Sequence, residues 1–284
     1  MPNPFSTAPV DTASRRPEPI PLTVLTGFLG AGKTTLLNRM LRDPALSDTV
    51  VIVNEFGEIG LDHLLIETVD EDMILLGAGC LCCTVRGDLI ATLEDLLRKR
   101  DNGRIAPFRR VVIETTGLAD PAPILHALIY HPYLAMRYRL QAVVTVVDAV
   151  SLLRDYGSTA FLRDRGESAG EEDARTLVDL LVEQIEFADV VVLNKAGDVG
   201  ADQLALVRSV IRGLNADARI VEASYGRVPL DRVLDTGLFS EEKAQEHPLW
   251  FKELYGAADH VPETEEYGIG SFVYRARRPF APEA

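Results

Sequence analysis

Cysteine is scarce in this chain: three residues among 284, all within four positions, at Cys80, Cys82 and Cys83. A structural disulfide framework spreads its cysteines along a chain. A bond between Cys82 and Cys83 would be strained, because adjacent Cα atoms lie about 3.8 Å apart. The sequence therefore favours a reduced, metal-capable cluster over structural disulfides.

Basic residues and long apolar runs are lacking too. There are 29 Lys and Arg against 43 Asp and Glu, giving a net charge of −14. This charge argues against nucleic-acid binding, which needs a basic surface. No run of 18 apolar residues occurs, and residues 1–20 lack the apolar core of an export signal. We therefore expect a cytoplasmic protein without a membrane segment, with residues 1–20 as a solvated tail.

Apolar residues are plentiful, at 47% of the chain, which is enough for a buried core. Apolar runs alternate with helical patterns over residues 21–240. The predicted strands after the first are 49–53, 73–76, 110–113, 141–147, 190–193 and 219–222. This alternation predicts a doubly wound, mostly parallel α/β sheet. In such sheets ligands bind at the carboxyl ends of the strands, where the polar clusters of this sequence lie.

A glycine-rich segment follows the first predicted strand and precedes a helical pattern. It contains Gly27-x-x-x-x-Gly32-Lys33-Thr34, a full match to the phosphate-binding loop pattern. Glycines let the loop curl and point its N–H groups at phosphate oxygens. Lys33 can reach the β- and γ-phosphates, and the Thr34 hydroxyl can ligate Mg²⁺. The segment predicts a protein that binds a nucleoside triphosphate.

An acidic residue, Glu114, directly follows the predicted strand 110–113. It has the position of a Walker B acid, which can hold a water on Mg²⁺. Gly117 can offer its N–H to the γ-phosphate, so this loop can change conformation when hydrolysis removes that phosphate.

A pair of polar residues, Asn194-Lys195, follows the predicted strand 190–193 and is similar to the start of the guanine-reading Asn-Lys-x-Asp. Here the fourth position is Gly197, and Asp198 comes one residue late. A bulge at Gly197 would let Asp198 read the base; the alternative is relaxed base selectivity. We favour guanine.

The three cysteines form a C-x-C-C loop, and thiolates are soft ligands that Zn²⁺ and Cu(I) favour. Zinc takes four ligands. In extended backbone Cys82 and Cys83 point to opposite sides, so we expect two of the three thiolates to bind one ion. Glu58 and Glu55 are candidates to complete its shell. The alternative is that the cysteines pack as small buried hydrophobic residues.

Five segments together resemble the CobW-type GTPases: G-F-L-G-A-G-K-T-T, N-E-F-G-E, G-C-L-C-C-T, E-T-T-G-L-A-D-P and V-x-V-V-D-A. The resemblance covers about residues 20–225. It implies a P-loop GTPase domain of a metallochaperone or metallocentre-assembly factor, in which the C-x-C-C loop lies between two nucleotide-sensing switches and binds Zn²⁺. The implied site residues are Gly27, Gly30, Ala31, Gly32, Lys33, Thr34 and Thr35 for phosphate and Mg²⁺, Glu58 in the first switch, Glu114 and Gly117 in the second, Asn194, Lys195 and Asp198 for the base, and Cys80, Cys82, Cys83 and Glu58 for metal.

Residues 241–284 are expected to be a linker and the first strand of a C-terminal domain. Residues 267–280 resemble the opening strand of that domain in the CobW-type proteins, and the sequence stops four residues later. A lone strand cannot form a sheet by itself. We therefore expect this C-terminal domain to be truncated, with a frayed strand as the alternative.

The function that we expect from the sequence is a metallochaperone that binds GTP, Mg²⁺ and Zn²⁺ or a similar metal, hydrolyses GTP, and delivers metal to a client protein or cofactor pathway. Two alternatives remain open at this stage. One is an ATP-dependent small-molecule kinase, and the other is a metal sensor with vestigial hydrolysis. The sequence is also compatible with a homo-oligomer.

Overall fold

The computed structural model describes residues 18–54, 75–78, 85–162 and 175–245. Seven strands within these ranges form one sheet. The strands are β1 (Ile20–Thr26), β2 (Thr49–Asn54), β3 (Leu75–Ala78), β4 (Arg110–Glu114), β5 (Tyr138–Asp148), β6 (Val190–Asn194) and β7 (Arg219–Glu222). The helices are α1 (Lys33–Met40), α2 (Val85–Asp101), α3 (Ala122–Tyr130), α4 (Pro132–Arg137), α5 (Leu152–Tyr156), α6 (Leu177–Glu186), α7 (Ala201–Leu214) and α8 (Glu241–Gln245). Short 3-10 turns lie at Pro44–Leu46, Ala196–Asp198 and Leu230–Arg232.

The sheet has the strand order β3-β2-β4-β1-β5-β6-β7, and all its strand pairs are parallel. Strand β1 is central, with β4 on one side and β5 on the other. The carboxyl ends of these strands meet at one edge, together with that of β6. This arrangement confirms the predicted doubly wound parallel sheet and brings the segments after β1, β4, β5 and β6 close together.

Apolar side chains of the central strand pack on both faces of the sheet. Leu22 and Val24 of β1 pack in a cluster with α2 and α3, whereas Leu25 packs in a second cluster with Leu36 and Leu37 of α1. All five are buried. Fully burying such a side chain contributes about 1.5–3 kcal/mol. This two-sided burial explains why the neighbouring residues Val24 and Leu25, which lie on opposite faces of β1, are both apolar.

Strand β5 begins three residues earlier than the predicted start at Gln141. Leu22 pairs with Leu140 and Thr23 pairs with Ala142, so Gln141 is an extra residue in β5. The backbone carbonyl of Gln141 instead accepts hydrogen bonds from the N–H groups of Leu238 and Phe239. The bulge arises from the pairing of β5 with β1, so the apolar pattern of β5 alone could not predict it.

Helices α4, α5 and α6 are absent from the sequence-based prediction. Helix α6 begins with a capping box, in which the Thr176 hydroxyl accepts the Asp179 N–H at 3.2 Å and Asp179 Oδ2 accepts the Thr176 N–H at 2.8 Å. These hydrogen bonds hold the pKa of Asp179 below its usual value. The Thr-x-x-Asp spacing before an apolar run is the signal that would have predicted this helix.

Several expectations concern residues outside the described ranges, among them most of the N-terminal tail and the predicted strand at 267–280. The described strand β3 is Leu75–Ala78 and ends two residues beyond the predicted end at Leu76, whereas the predicted start at 73–74 lies outside the described ranges. Within the described ranges, none of the helices has the length and apolar character needed to cross a membrane.

Candidate nucleotide-binding site

The loop between β1 and α1 is shaped by its glycines. Gly27 has a φ of 135°, and a Cβ there would lie 2.2 Å from the backbone oxygen of Val146 in β5. Gly32 has a φ of 97°, and a Cβ there would lie 2.4 Å from Asn194 Nδ2. Gly30 is also left-handed, with a φ of 72°. A side chain at Gly27 or Gly32 would therefore push the loop away from β5 or β6.

The ammonium of Lys33 lies over this loop. Its Nζ donates to the carbonyl oxygens of Gly27 at 2.8 Å and Phe28 at 3.3 Å, and the residue is buried. A buried cation held at a glycine-rich loop is the charge complement of a phosphate chain. The structure thus places the first cluster of predicted phosphate-binding residues around one cradle.

Helix α1 and strand β4 are joined by a hydrogen bond between predicted site residues. Thr34 Oγ1 donates to Glu114 Oε1 at 2.9 Å, although the residues are 80 positions apart in the chain. Glu114 is the last residue of β4 and is only 2% exposed. Thr35, by contrast, is exposed on α1. The predicted Mg²⁺ ligand and the predicted Walker B acid are therefore in direct contact.

The loop after β4 contacts the loop after β1. A Cβ on Gly117 would lie 2.6 Å from the backbone nitrogen of Leu29, so only glycine permits this approach. Thr115 Oγ1 also donates to Thr26 Oγ1 at 2.9 Å. On its other side, the Gly117 carbonyl accepts from Gln184 Nε2 of α6 at 3.2 Å. The predicted second switch is thus packed between the phosphate-binding loop and α6.

The end of β6 is also joined to the phosphate-binding loop. Asn194 Nδ2 donates to the Ala31 carbonyl at 3.0 Å, and Asn194 Oδ1 accepts the Gly226 N–H at 3.4 Å. Lys195 Nζ donates to the Gly30 carbonyl at 3.2 Å. The predicted base-site residues Asn194 and Lys195 therefore fix one side of the loop.

The residues after Lys195 form the 3-10 turn Ala196–Asp198. The Gly197 N–H donates to Ser224 Oγ at 3.1 Å, and a Cβ on Gly197 would lie 2.9 Å from that oxygen. This contact gives a local reason for glycine at the position where the guanine-reading pattern has aspartate. Asp198 is exposed at the end of the turn.

The predicted metal site cannot be compared with the structure, because Cys80, Cys82, Cys83, Glu58 and Glu55 lie outside the described residues. Within the described part, three or more His, Cys, Asp and Glu side chains do not come together in a metal-binding group.

Three residues at the site have no role in the sequence-based prediction. They are Gln184, which contacts the loop after β4; Ser224, which contacts Gly197; and Asp148, which pairs with Lys195. Asp148 belongs to the V-x-V-V-D-A segment, so its position at the end of a strand was a usable signal. Gln184 and Ser224 contact segments that are far away in the chain, so no local sequence pattern predicts their contacts.

A central parallel strand, a glycine-rich turn, a buried lysine and an acid on the neighbouring strand together define a P-loop nucleotide-binding protein. The chain belongs to the CobW/HypB/UreG family, whose nucleotide-binding domain matches residues 21–222. This match confirms the resemblance drawn from the five sequence segments.

The chain is similar to several curated proteins. It is 39% identical over 284 aligned positions to the zinc-regulated GTPase metalloprotein activator 1 of Dictyostelium discoideum, covering 94% of this chain and 58% of the relative. It is 35% identical over 225 positions to the zinc chaperone YjiA of Escherichia coli, covering 79% of this chain and 64% of YjiA. The chain thus spans less than two thirds of the length of these relatives.

A solved structure, Zn(II)-bound YjiA GTPase from E. coli, superimposes with a TM-score of 0.58 at 30% sequence identity. The match covers 78% of this chain and 63% of that protein.

Proposed function

We propose that this chain binds and hydrolyses GTP with Mg²⁺ and couples hydrolysis to the transfer of Zn²⁺ or a similar transition metal. The observation that carries the nucleotide half is the 2.9 Å hydrogen bond between Thr34 and Glu114, next in sequence to the buried Lys33 of the phosphate-binding loop. The metal half rests on the C-x-C-C segment and on relatives whose names describe zinc chaperones and zinc-regulated GTPases.

The Thr34 and Glu114 oxygens suit a Mg²⁺ site. Thr34 Oγ1 and Glu114 Oε1 are held together by a 2.9 Å hydrogen bond, so a hydroxyl and a carboxylate face the same place. Thr34 would ligate the ion, and Glu114 would hold one of the waters on it. Hydroxyl and carboxylate oxygens are also the ligand types that Mg²⁺ prefers. Bound there, Mg²⁺ would supply positive charge beside the β- and γ-phosphates.

The protein groups have separate tasks in this proposal. Lys33 leaves its carbonyl partners and pairs with the β- and γ-phosphate oxygens, while the loop N–H groups bind the phosphate chain. The Gly117 N–H contacts the γ-phosphate, so the loop after β4 senses hydrolysis. Asn194 and Lys195 hold the base side of the site, and Asp198 reads the guanine edge.

Metal transfer would follow from thermodynamic linkage. The C-x-C-C segment lies in sequence between Glu58 and Glu114, the two proposed switch positions. If GTP and the metal each bind one arrangement of this segment better than the other, then each must change the affinity of the other by the same factor. The proposed metal ligands are Cys80, Cys82, Cys83 and Glu58, and the recipient is a client protein or cofactor pathway.

The nucleotide half is tested by comparing Glu114→Gln with the unchanged chain. Glutamine keeps the acceptor oxygen for Thr34 but removes the charge that Mg²⁺ needs, so we expect GTP hydrolysis to fall about 100-fold. Binding of a fluorescent GDP analogue in EDTA should be unchanged, and GTP should displace it far better than ATP. Glu94→Gln on α2 is the matched control.

Two results would contradict this proposal. One is hydrolysis by Glu114→Gln at the rate of the unchanged chain. The other is equal displacement by ATP and GTP, which would point to a nucleotide site without guanine selectivity.

A further inference from the structure

The Asp148 carboxylate, at the carboxyl end of β5, has both oxygens in use. Its Oδ1 accepts the backbone N–H of Val150 at 2.9 Å, and its Oδ2 accepts from Lys195 Nζ at 2.6 Å. The Asp148 side chain is 14% exposed. The first hydrogen bond fixes the carboxylate independently of Lys195, so Asp148 is already oriented when it meets the lysine.

Lys195 is held in an unusual way. Its backbone has a φ of 57°, and its Nζ donates to the Gly30 carbonyl at 3.2 Å as well as to Asp148. Left-handed backbone is uncommon outside glycine and clusters at ligand sites. A single ammonium therefore joins the loop after β1 to the ends of β5 and β6.

The partial exposure of the Asp148–Lys195 ion pair indicates a role in ligand binding rather than in folding. The Lys195 side chain is 37% exposed, so solvent screens its charge and the ion pair contributes little to folding. A lysine has a flexible four-carbon stem. When a ligand packs on a stem that is not already ordered, the entropy lost in ordering the stem lowers the affinity for the ligand. Fixing the stem in advance therefore benefits ligand binding more than it benefits folding.

We propose that Asp148 is a positioning residue of the purine site: it anchors the Lys195 ammonium so that the lysine stem is preordered as one wall of the base site. This inference rests on the proposed function, in which Asn194 and Lys195 face the guanine base. Asp148 contacts neither the phosphates nor the base in this proposal, and it acts only through Lys195.

The proposal predicts a specific pattern of nucleotide affinities. GTP and GDP carry the same base, so loss of Asp148 should weaken both by the same factor. Loss of Asp148 should leave Lys33, Thr34 and Glu114, the groups proposed to act near the γ-phosphate, unchanged. The KM for GTP should therefore rise, whereas kcat should stay within about twofold of its original value.

The test uses Asp148→Asn, which keeps an acceptor for the Val150 N–H and removes the charge that holds Lys195. We expect the dissociation constants of GTP and GDP to rise about tenfold each, measured with fluorescent analogues. Asp217→Asn is the matched control, because Asp217 is exposed in the turn before β7 and away from the site. It should leave both constants unchanged.

A double-mutant cycle separates positioning from a general structural effect. Lys195→Met keeps a flexible stem without the ammonium, so Asp148→Asn should add no further loss in that background. An equal additional loss there, or unequal effects on GTP and GDP, would overturn the inference. Unchanged affinity of Asp148→Asn would overturn it too, while leaving the proposed function intact. Failure of the unchanged chain to bind guanine nucleotides would instead overturn the proposed function, and this inference with it.

Discussion

Two glycines of the phosphate-binding loop have similar backbones and different surroundings. Gly30 has a φ of 72° and a Cβ there would meet nothing within 4 Å, whereas a Cβ on Gly32 would lie 2.4 Å from Asn194 Nδ2. An alanine at Gly30 is therefore only strained. An alanine at Gly32 must also displace the Asn194 amide, which holds the Ala31 carbonyl.

This pair of glycines gives a matched stability prediction. Gly30→Ala should cost about 1–2 kcal/mol, the cost of left-handed backbone for an L-residue. Gly32→Ala should cost about 2 kcal/mol more, because it also breaks a buried hydrogen bond, and it should weaken GDP binding more. Urea denaturation of both variants measures the difference. Equal stability of the two variants would show that Asn194 does not restrain the loop.

At the scale of single residues, the sequence predicted those positions that belong to a local motif. The phosphate-binding loop, Glu114 and Asn194-Lys195 each follow a buried strand, and the structure brings them together. The sequence gave no indication of Ser224 or Gln184, because their hydrogen bonds join segments far apart in the chain and form only in the assembled sheet.

Helix α6 is the element that holds the loop after β4. Gln184 is buried, and its Nε2 donates to the carbonyls of Gly117 at 3.2 Å and Ala119 at 3.3 Å. Arg175, just before α6, donates to the Leu118 carbonyl at 3.3 Å. Three consecutive carbonyls of the proposed second switch are thus bound by one helix and its start.

This contact predicts that Gln184→Leu separates hydrolysis from binding. Leucine fills a similar volume but leaves the Gly117 and Ala119 carbonyls without this donor, so the loop should lose its fixed position. We expect kcat for GTP to fall about tenfold, while GDP affinity changes less than twofold. Asn102→Leu, exposed just after α2, is the control. A loss of GDP affinity as large as the loss of kcat would mean that α6 supports the whole site rather than this loop.

The strands and the helices α1, α2, α3 and α7 were predicted, whereas the short helices α4 and α5 and the ten-residue α6 were not. The predicted strand at 219–222 matches β7, and the helix predicted at 202–212 is α7, extended by one residue at its start and two at its end. Helices α4 and α5 have six and five residues, too few to show a helical period. The early start of β5 depends on pairing with β1, which a local pattern does not contain.

At the scale of the whole molecule, the strand order explains how distant segments form one site. Strand β1 lies between β4 and β5, and β6 lies beside β5. The loop after β1 therefore meets Glu114 on one side and Lys195 on the other. In the proposed function, Gly117 is the residue through which nucleotide state would reach the end of β4.

The central claim is that nucleotide state and metal affinity are linked. The direct measurement is the Zn²⁺ affinity of the full, reduced chain with GTP, with GDP and without nucleotide, using a competing chelator. A chain with all three cysteines changed to serine is the control, and it should bind GDP normally but lose the zinc site.

We predict that GTP and GDP give Zn²⁺ dissociation constants that differ by about fivefold or more, within the range of typical coupling free energies. The affinity of GTP should change by the same factor when Zn²⁺ is added. Equal Zn²⁺ affinity in all three nucleotide states would contradict the account.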